Sequence, residues 1–280
     1  MRIAHLSDLH FGRHDDRLAA GLADELRSVD PDLVVVSGDF AQVGSAREFA
    51  AAQSFLKSLH VPWMAVPGNH DVPARNLLRR FLAPYSLYRK YIADEIEPFV
   101  EMQGVALAGL NTSRPVRWGL NWAHGSINRK QLAQLEARFA AASPDALRVV
   151  VAHHPLLQPE TPAEKPMRLV DRADLALETF ARLGVRLVLS GHFHLSYVRH
   201  HEAAGTIGTG SPTGGRAAAR APIIVAQASS TISTRLRGEP NAYNLITLGP
   251  AQDTIDISVR EWTGDGWMTR EAAPLVVPTP

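Results

Sequence analysis

The chain has 280 residues, 45% of them hydrophobic and 20% charged, with a formal net charge of +1. That balance belongs to a folded chain, and it supplies no overall field for wrapping a nucleic-acid backbone. There are no cysteines, which excludes disulfides, thiolate metal sites and cysteine nucleophiles.

The chain opens Met1-Arg2-Ile3-Ala4-His5 and reaches Asp8 without the apolar run of ~7–15 residues that a signal peptide needs. No stretch approaches the ~18 apolar residues of a membrane span, so the expected compartment is the cytoplasm. Short apolar, β-branched runs follow at 3–6, 33–36, 63–66, 105–110, 149–152 and 187–189. Their brevity and lack of alternation predict strands buried on both faces. Helical patterns at 16–29, 46–59, 128–142 and 171–183 lie between several of them. Strand alternating with helix predicts an α/β layered fold.

The segment 75–92 carries Leu77, Leu78, Phe81, Leu82, Tyr85, Tyr88 and Tyr91 at spacings near three and four, with arginines and a lysine between them. The favoured reading is a helix pair broken at Pro84, packed on the core with a basic face in water. Other readings are a lipid-headgroup contact, or a cap over the site or dimer insertion spanning 73–100. Residues 203–221, rich in Gly, Ala, Thr, Ser and Arg, predict a long loop. The glycines between Gly205 and Arg216 lack the spacing and the Lys-Ser/Thr ending of a phosphate-cradling loop. Strand-like runs at 223–228, 243–248 and 255–262 have no helices between them, which predicts an antiparallel portion or a second sheet. The expected organisation is a single domain over 1–270 with an exposed tail at 271–280. The stretch 233–241 receives no role from its residues alone.

Five segments carry chemistry: Ser7-Asp8-Leu9-His10, Gly38-Asp39, Gly68-Asn69-His70-Asp71, His153-His154-Pro155 and Gly191-His192-Phe193-His194. Each directly follows a predicted strand. Asp8, Asp39 and Asn69 are about thirty residues apart, the length of one strand–helix–strand step. All five therefore converge on the carboxyl ends of the strands, where α/β sheets bind ligands. Asp8 with His10, and His192 with His194, stand two residues apart, so in an extended segment each pair shares a side. Taken singly, Asp8 or Asp39 reads as a helix N-cap and a lone histidine as a structural residue. The ordered set points instead to two metal ions held by oxygen and nitrogen donors, which suits Mn, Fe or Zn.

In this order the motifs D-x-H, G-D, G-N-H-D, H and G-H-x-H resemble the calcineurin-like metallophosphoesterases, over roughly residues 3–195. In length and motif wording the chain is similar to small bacterial phosphodiesterases of the cyclic-nucleotide and glycerophosphodiester types. The resemblance implies a four-layer α-β-β-α sandwich with a dinuclear site at the carboxyl ends of the strands. It places one divalent metal on Asp8, His10 and His194 and a second on Asn69, His153 and His192, bridged by Asp39. It prefers His153 over His154 and makes His70 the general acid, with Asp71 either orienting His70 or capping the segment that follows.

The implied function is hydrolysis of a small phosphodiester by a metal-bound hydroxide. A phosphomonoesterase and a lipid or nucleotide pyrophosphatase are the enzymatic alternatives. A scaffold that kept the fold and lost the chemistry is the rival of another class. The expected partner is a small-molecule substrate, with no stable nucleic-acid partner; membrane contact is not favoured, and a homo-oligomer stays open.

Overall fold

Successive side chains on a strand point to opposite faces, and here both faces of each central strand find apolar partners. In the computed structural model, which describes residues 1–115, 123–160, 167–202, 221–249 and 254–270, twelve strands form two six-stranded sheets. The first sheet contains β1 (Arg2–Leu6), β2 (Leu33–Val36), β3 (Trp63–Ala65), β10 (Ala242–Leu248), β11 (Ile255–Trp262) and β12 (Trp267–Thr269), in the order β12-β11-β10-β1-β2-β3. The second contains β4 (Phe99–Met102), β5 (Val105–Leu110), β6 (Leu147–Ala152), β7 (Val185–Ser190), β8 (Tyr197–His201) and β9 (Ile223–Gln227), in the order β4-β5-β6-β7-β9-β8.

Ile3, Leu33, Val35 and Met64 of the first sheet pack against Leu107, Val149, Val151, Leu187 and Leu189 of the second, which makes the inter-sheet layer. Ala4, Leu6, Val34 and Val36 face the other way, onto α1 (Asp16–Val29) and α2 (Ala46–Ser58). Val150 and Val188 face α5 (Arg129–Ala141) and α6 (Ala173–Arg182). The expected α-β-β-α sandwich is therefore observed. No helix of the described residues is long and apolar enough to cross a membrane.

Several helices begin where a side chain satisfies one of the first backbone N–H groups. Ser45 and Glu48 form a reciprocal capping box on α2, and Asn128 with Gln131 does the same on α5. The antiparallel portion expected near the C-terminus is β10, β11 and β12, which extend the first sheet beside β1. The run at 223–228 joins the second sheet as β9, parallel to β7 and antiparallel to β8. The expected tail lies outside the described residues, as does the expected loop save its position 221.

The segment 75–92 corrects its own reading in part. It is a helix pair, α3 (Leu77–Leu82) and α4 (Ser86–Tyr91), with Pro84 between them. On α4 the expectation holds, since Leu87 and Tyr88 are buried against the α2 side of the core and Tyr88 meets the Phe40 ring at 5.9 Å. On α3 the polarity is reversed. Leu78 and Leu82 are 72% and 76% exposed, whereas Arg80 is 2% exposed. The Arg80 guanidinium donates to the carbonyls of Pro115 (2.7 Å) and Pro73 (3.0 Å). A fork of five N–H donors can satisfy several loop carbonyls at once, which no apolar side chain can do.

Candidate metal centre

Each of the five motif segments leaves the carboxyl end of a strand: β1, β2 and β3 in the first sheet, β6 and β7 in the second. The two sheets are stacked, so these ends meet. Sharp turns then aim the side chains inward. Asp8, His10, Asp39, His192 and His194 all take positive φ, between 47° and 78°. Asp and His tolerate that left-handed region better than most residues with a β-carbon.

Around Asp8, its Oδ1 lies 3.2 Å from His194 Nε2 and 3.6 Å from His10 Nε2, and the two histidine nitrogens are 3.3 Å apart. Around Asp39, its Oδ2 lies 3.4 Å from His153 Nε2 and 3.7 Å from His10 Nε2. Asn69 Oδ1 is 3.1 Å from His153 Nε2. The His192 ring stands 5.2 Å from that of His153. Asp39 thus reaches both halves of the cluster. Its other oxygen accepts the backbone N–H of His70 at 2.8 Å.

The far side of each imidazole explains why the near side is available. His153 Nδ1 pairs with the Ser37 carbonyl, His194 Nδ1 with that of Arg235, and His70 Nδ1 with that of Gln42, each at 2.7 Å. A carbonyl accepts only, so each Nδ1 carries a proton and Nε2 is directed into the cluster, the usual orientation of a metal-binding histidine. Asp8 Oδ2 accepts Ser7 Oγ–H at 2.6 Å and the His192 N–H at 2.8 Å. Asp8 Oδ1, by contrast, is buried with no hydrogen-bond donor among the described residues. A buried carboxylate oxygen without a donor is costly, and a cation is the partner that suits it. The donors Asp8, His10 and His194 lie close enough together to share one ion, as do Asp8, Asp39 and His153. These residues fit divalent metal.

Electrostatics agree. Burial pushes the Asp8 carboxyl up, but the neighbouring imidazoles, His194 first and then His10 and His153, outweigh it and hold it well below the usual range. Asp39 is held low against burial by His153, which is itself pushed up, despite burial, by the Asp39 charge. Burial lowers His192 to about 3, so it is a neutral imidazole, the form that binds metal.

His154 sits near His153 and His192, yet it spends both ring nitrogens elsewhere. Nδ1 meets Thr112 Oγ1 at 2.7 Å and Nε2 meets the Ala123 carbonyl at 3.0 Å. That leaves His153 as the histidine of the pair with a nitrogen facing Asp39. His5 is structural: it bridges Ser37 Oγ and the Asn244 amide, and burial lowers it to about 3.

Asp71 takes neither of its two expected roles. Its Oδ1 accepts the Ala41 N–H at 3.0 Å and its Oδ2 the Gly68 N–H at 2.8 Å, tying the loop after β2 to the loop after β3. Burial, with the neighbouring Asp39 charge second, raises it to about 8. Asp71→Asn places an amide NH₂ against a buried N–H donor. The expected loss is about 1–3 kcal/mol of stability, read from urea unfolding; an unchanged midpoint would remove Asp71 from this role.

Three contributors have no local signal in the sequence. Gln42 orients His70 through its carbonyl. Ser230 Oγ donates to the Asp8 carbonyl at 2.8 Å. Arg235 accepts from His194 through its carbonyl and, through Nη1, donates to His70 Nε2 at 3.3 Å. The stretch 233–241, without a role in the sequence reading, is thereby part of the site wall.

Carboxylates and Nδ1-anchored imidazoles, gathered at the strand ends of an α-β-β-α sandwich, define a metal-dependent hydrolase. The chain belongs to the calcineurin-like phosphoesterase family, whose model matches residues 1–196, and it is a phosphoric ester hydrolase. It is 28% identical over 209 residues to a probable cyclic nucleotide phosphodiesterase of Synechococcus, covering 71% of this chain and 75% of that one. It is 30% identical over 175 residues to the glycerophosphodiester phosphodiesterase GpdQ of Enterobacter lignolyticus, covering 56% of this chain and 58% of the relative. A dimetal phosphatase from Danio rerio superposes with a TM-score of 0.65 at 15% identity, over 96% of this chain and 98% of its own. At that identity the likeness concerns the fold alone.

Proposed function

We propose that the chain hydrolyses small phosphodiesters, with cyclic nucleotides and glycerophosphodiesters as the leading substrate classes. The observation that carries the reading is the convergence of Asp8 Oδ1, Asp39 Oδ2 and the Nε2 atoms of His10, His153 and His194 at one point. The similarity to Synechococcus and Enterobacter phosphodiesterases supports diesters over monoesters. Asp8, His10 and His194 would hold one divalent cation, and Asn69, His153 and His192 a second, with Asp39 between them. Mn, Fe and Zn all suit this donor set. Bound there, the pair would supply Lewis acidity for activating water and for offsetting charge on the phosphoryl oxygens.

The chain's own residues then have distinct tasks. The carbonyls of Ser37, Gln42 and Arg235 keep three imidazoles turned inward. His70, fixed by its Nδ1–H and packed edge-on to the His10 ring at 4.9 Å, presents Nε2 on the side where a leaving oxygen departs. It is the proton donor. Here Nε2 accepts from Arg235, so a proton reaches it only when the guanidinium turns to the substrate phosphate.

The test is turnover of bis(p-nitrophenyl) phosphate against p-nitrophenyl phosphate in added Mn²⁺, with Asn69→Ala and His70→Ala proteins alongside. The expected result is a clear diester preference. His70→Ala is expected to lose about 10²–10⁴-fold in kcat while still binding two ions per chain. Asn69→Ala is expected to lose one ion. Equal or faster monoester hydrolysis would make the protein a phosphatase instead.

A further inference from the structure

Beside His70 a cleft of about 660 Å³ opens between the loops that follow β1 and β2 and the segment that follows β3, with Arg13, Gln42, Glu48, Arg75 and Arg79 on its walls. It is contiguous with the metal centre through Gln42. The backbone carbonyl of Gln42 anchors His70, and its side-chain Oε1 is 3.4 Å from Arg235 Nη1. The Arg235 segment is tied to the same wall, since the Arg13 carbonyl accepts both the N–H (2.7 Å) and the hydroxyl (2.8 Å) of Thr234.

The charge in this cleft is predominantly positive. The side chains of Arg13, Arg75 and Arg79 make no hydrogen bond or ion pair with any described residue. Glu48 is already engaged, its Oε2 accepting the backbone N–H groups of Val43 (3.1 Å) and Ser45 (2.9 Å). Arg235 likewise has no carboxylate partner among the described residues. Solvated single arginines are ordinary on a protein surface. Three that converge on one concavity, in a chain whose formal net charge is only +1, form a local anion site. Guanidinium groups are the side chains best shaped for phosphate oxygens.

We infer that the cleft is a second anion subsite, which takes a phosphate carried by the leaving alcohol. The favoured substrates are then phosphodiesters whose leaving group bears its own phosphate, such as a 5′-phosphorylated nucleoside linked through its 3′-oxygen. In the step itself, water adds to the phosphorus held at the metal centre. The bond from phosphorus to the phosphate-bearing alcohol's oxygen breaks, and that oxygen takes a proton. Arg235, between His70 and the cleft, bridges the scissile phosphate and this second one. The inference rests on the phosphodiesterase reading above and narrows it.

The experiment compares two dinucleotides that share one scissile bond, ApA and pApA, which differ by the terminal phosphate. pApA is expected to be cleaved to two molecules of 5′-AMP with kcat/KM at least tenfold above that of ApA, the gain lying in KM. In Arg75→Ala/Arg79→Ala the ratio is expected to fall to near one. Arg75→Lys/Arg79→Lys should keep most of it, and Arg182→Ala, on the remote face of α6, all of it. A ratio near one in the parent protein, or one retained in the double alanine variant, overturns the inference, as does cleavage to adenosine and the 3′,5′-bisphosphate. If no diester at all is hydrolysed, the phosphodiesterase reading fails separately. The subsite is then judged by calorimetric binding to the metal-free protein, where pApA must bind at least tenfold tighter than ApA, with a gap that narrows as salt rises. Equal binding overturns it.

Discussion

Replacing Asp39 with alanine is expected to cut diester hydrolysis by about 10³-fold or more, since changes to groups that merely support a metal ligand already cost ~10–100-fold. Asp39 faces both halves of the cluster, 3.4 Å from His153 and 3.7 Å from His10 through a single oxygen. Its loss removes that shared oxygen together with the buried negative charge that would offset two bound cations. Metal content is expected to fall below two ions per chain. Asp39→Asn is the companion variant. It keeps the acceptor for the His70 N–H, which Asp39 Oδ1 now provides at 2.8 Å, and still loses the charge. Metal analysis beside kcat decides the matter: two ions per chain with a rate within tenfold of the parent in both variants would deny Asp39 its bridging role.

Gly38→Ala is expected to be severely damaging to folding, costing about 3 kcal/mol or more. Gly38 has φ of +103°, and an added Cβ would lie 2.8 Å from the backbone N and 2.9 Å from the Cα of Gly68. It would also lie 2.7 Å from His153 Nδ1, where the hydrogen bond to the Ser37 carbonyl orients that ring. The loops after β2 and β3 touch backbone to backbone here, so neither can yield alone. Gly238 separates the two causes, because its φ is +93° but a Cβ added there would meet nothing within 4 Å. Gly238→Ala should therefore cost only the conformational part, about 1 kcal/mol. Urea unfolding of both variants supplies the comparison. Similar losses would mean that the close approach at Gly38 relaxes freely.

The architecture is readable because burial on both faces leaves an unmistakable mark on β1, β2, β5, β6 and β7, which are mostly apolar on both faces. Edge strands carry no such mark. β8 reads Tyr-Val-Arg-His-His and is half-buried throughout, and β12 is three residues long, so neither stands out. The motif residues are readable for a related reason: each follows a legible strand, and donors of the right type recur there. Arg235 is different. It meets His70 across 165 positions of sequence, and long-range contacts of that kind leave no periodicity. Asp71 misleads because a carboxylate beside a histidine suggests a pair, whereas its oxygens are claimed by the N–H groups of Ala41 and Gly68. On α3 the helical spacing is visible, but the pattern cannot tell that loop carbonyls draw Arg80 inward and leave Leu78 and Leu82 in water.

The left-handed turns at Asp8, His10, Asp39, His192 and His194 have an evolutionary corollary. A side chain with a β-carbon gives up ~1 kcal/mol or more to sit in that region, and glycine does not. At these five positions a drifting sequence would gain robustness simply by discarding the donor. The five donors thus stand where their own backbone would prefer glycine, and the strained turns are what aim them into the cluster.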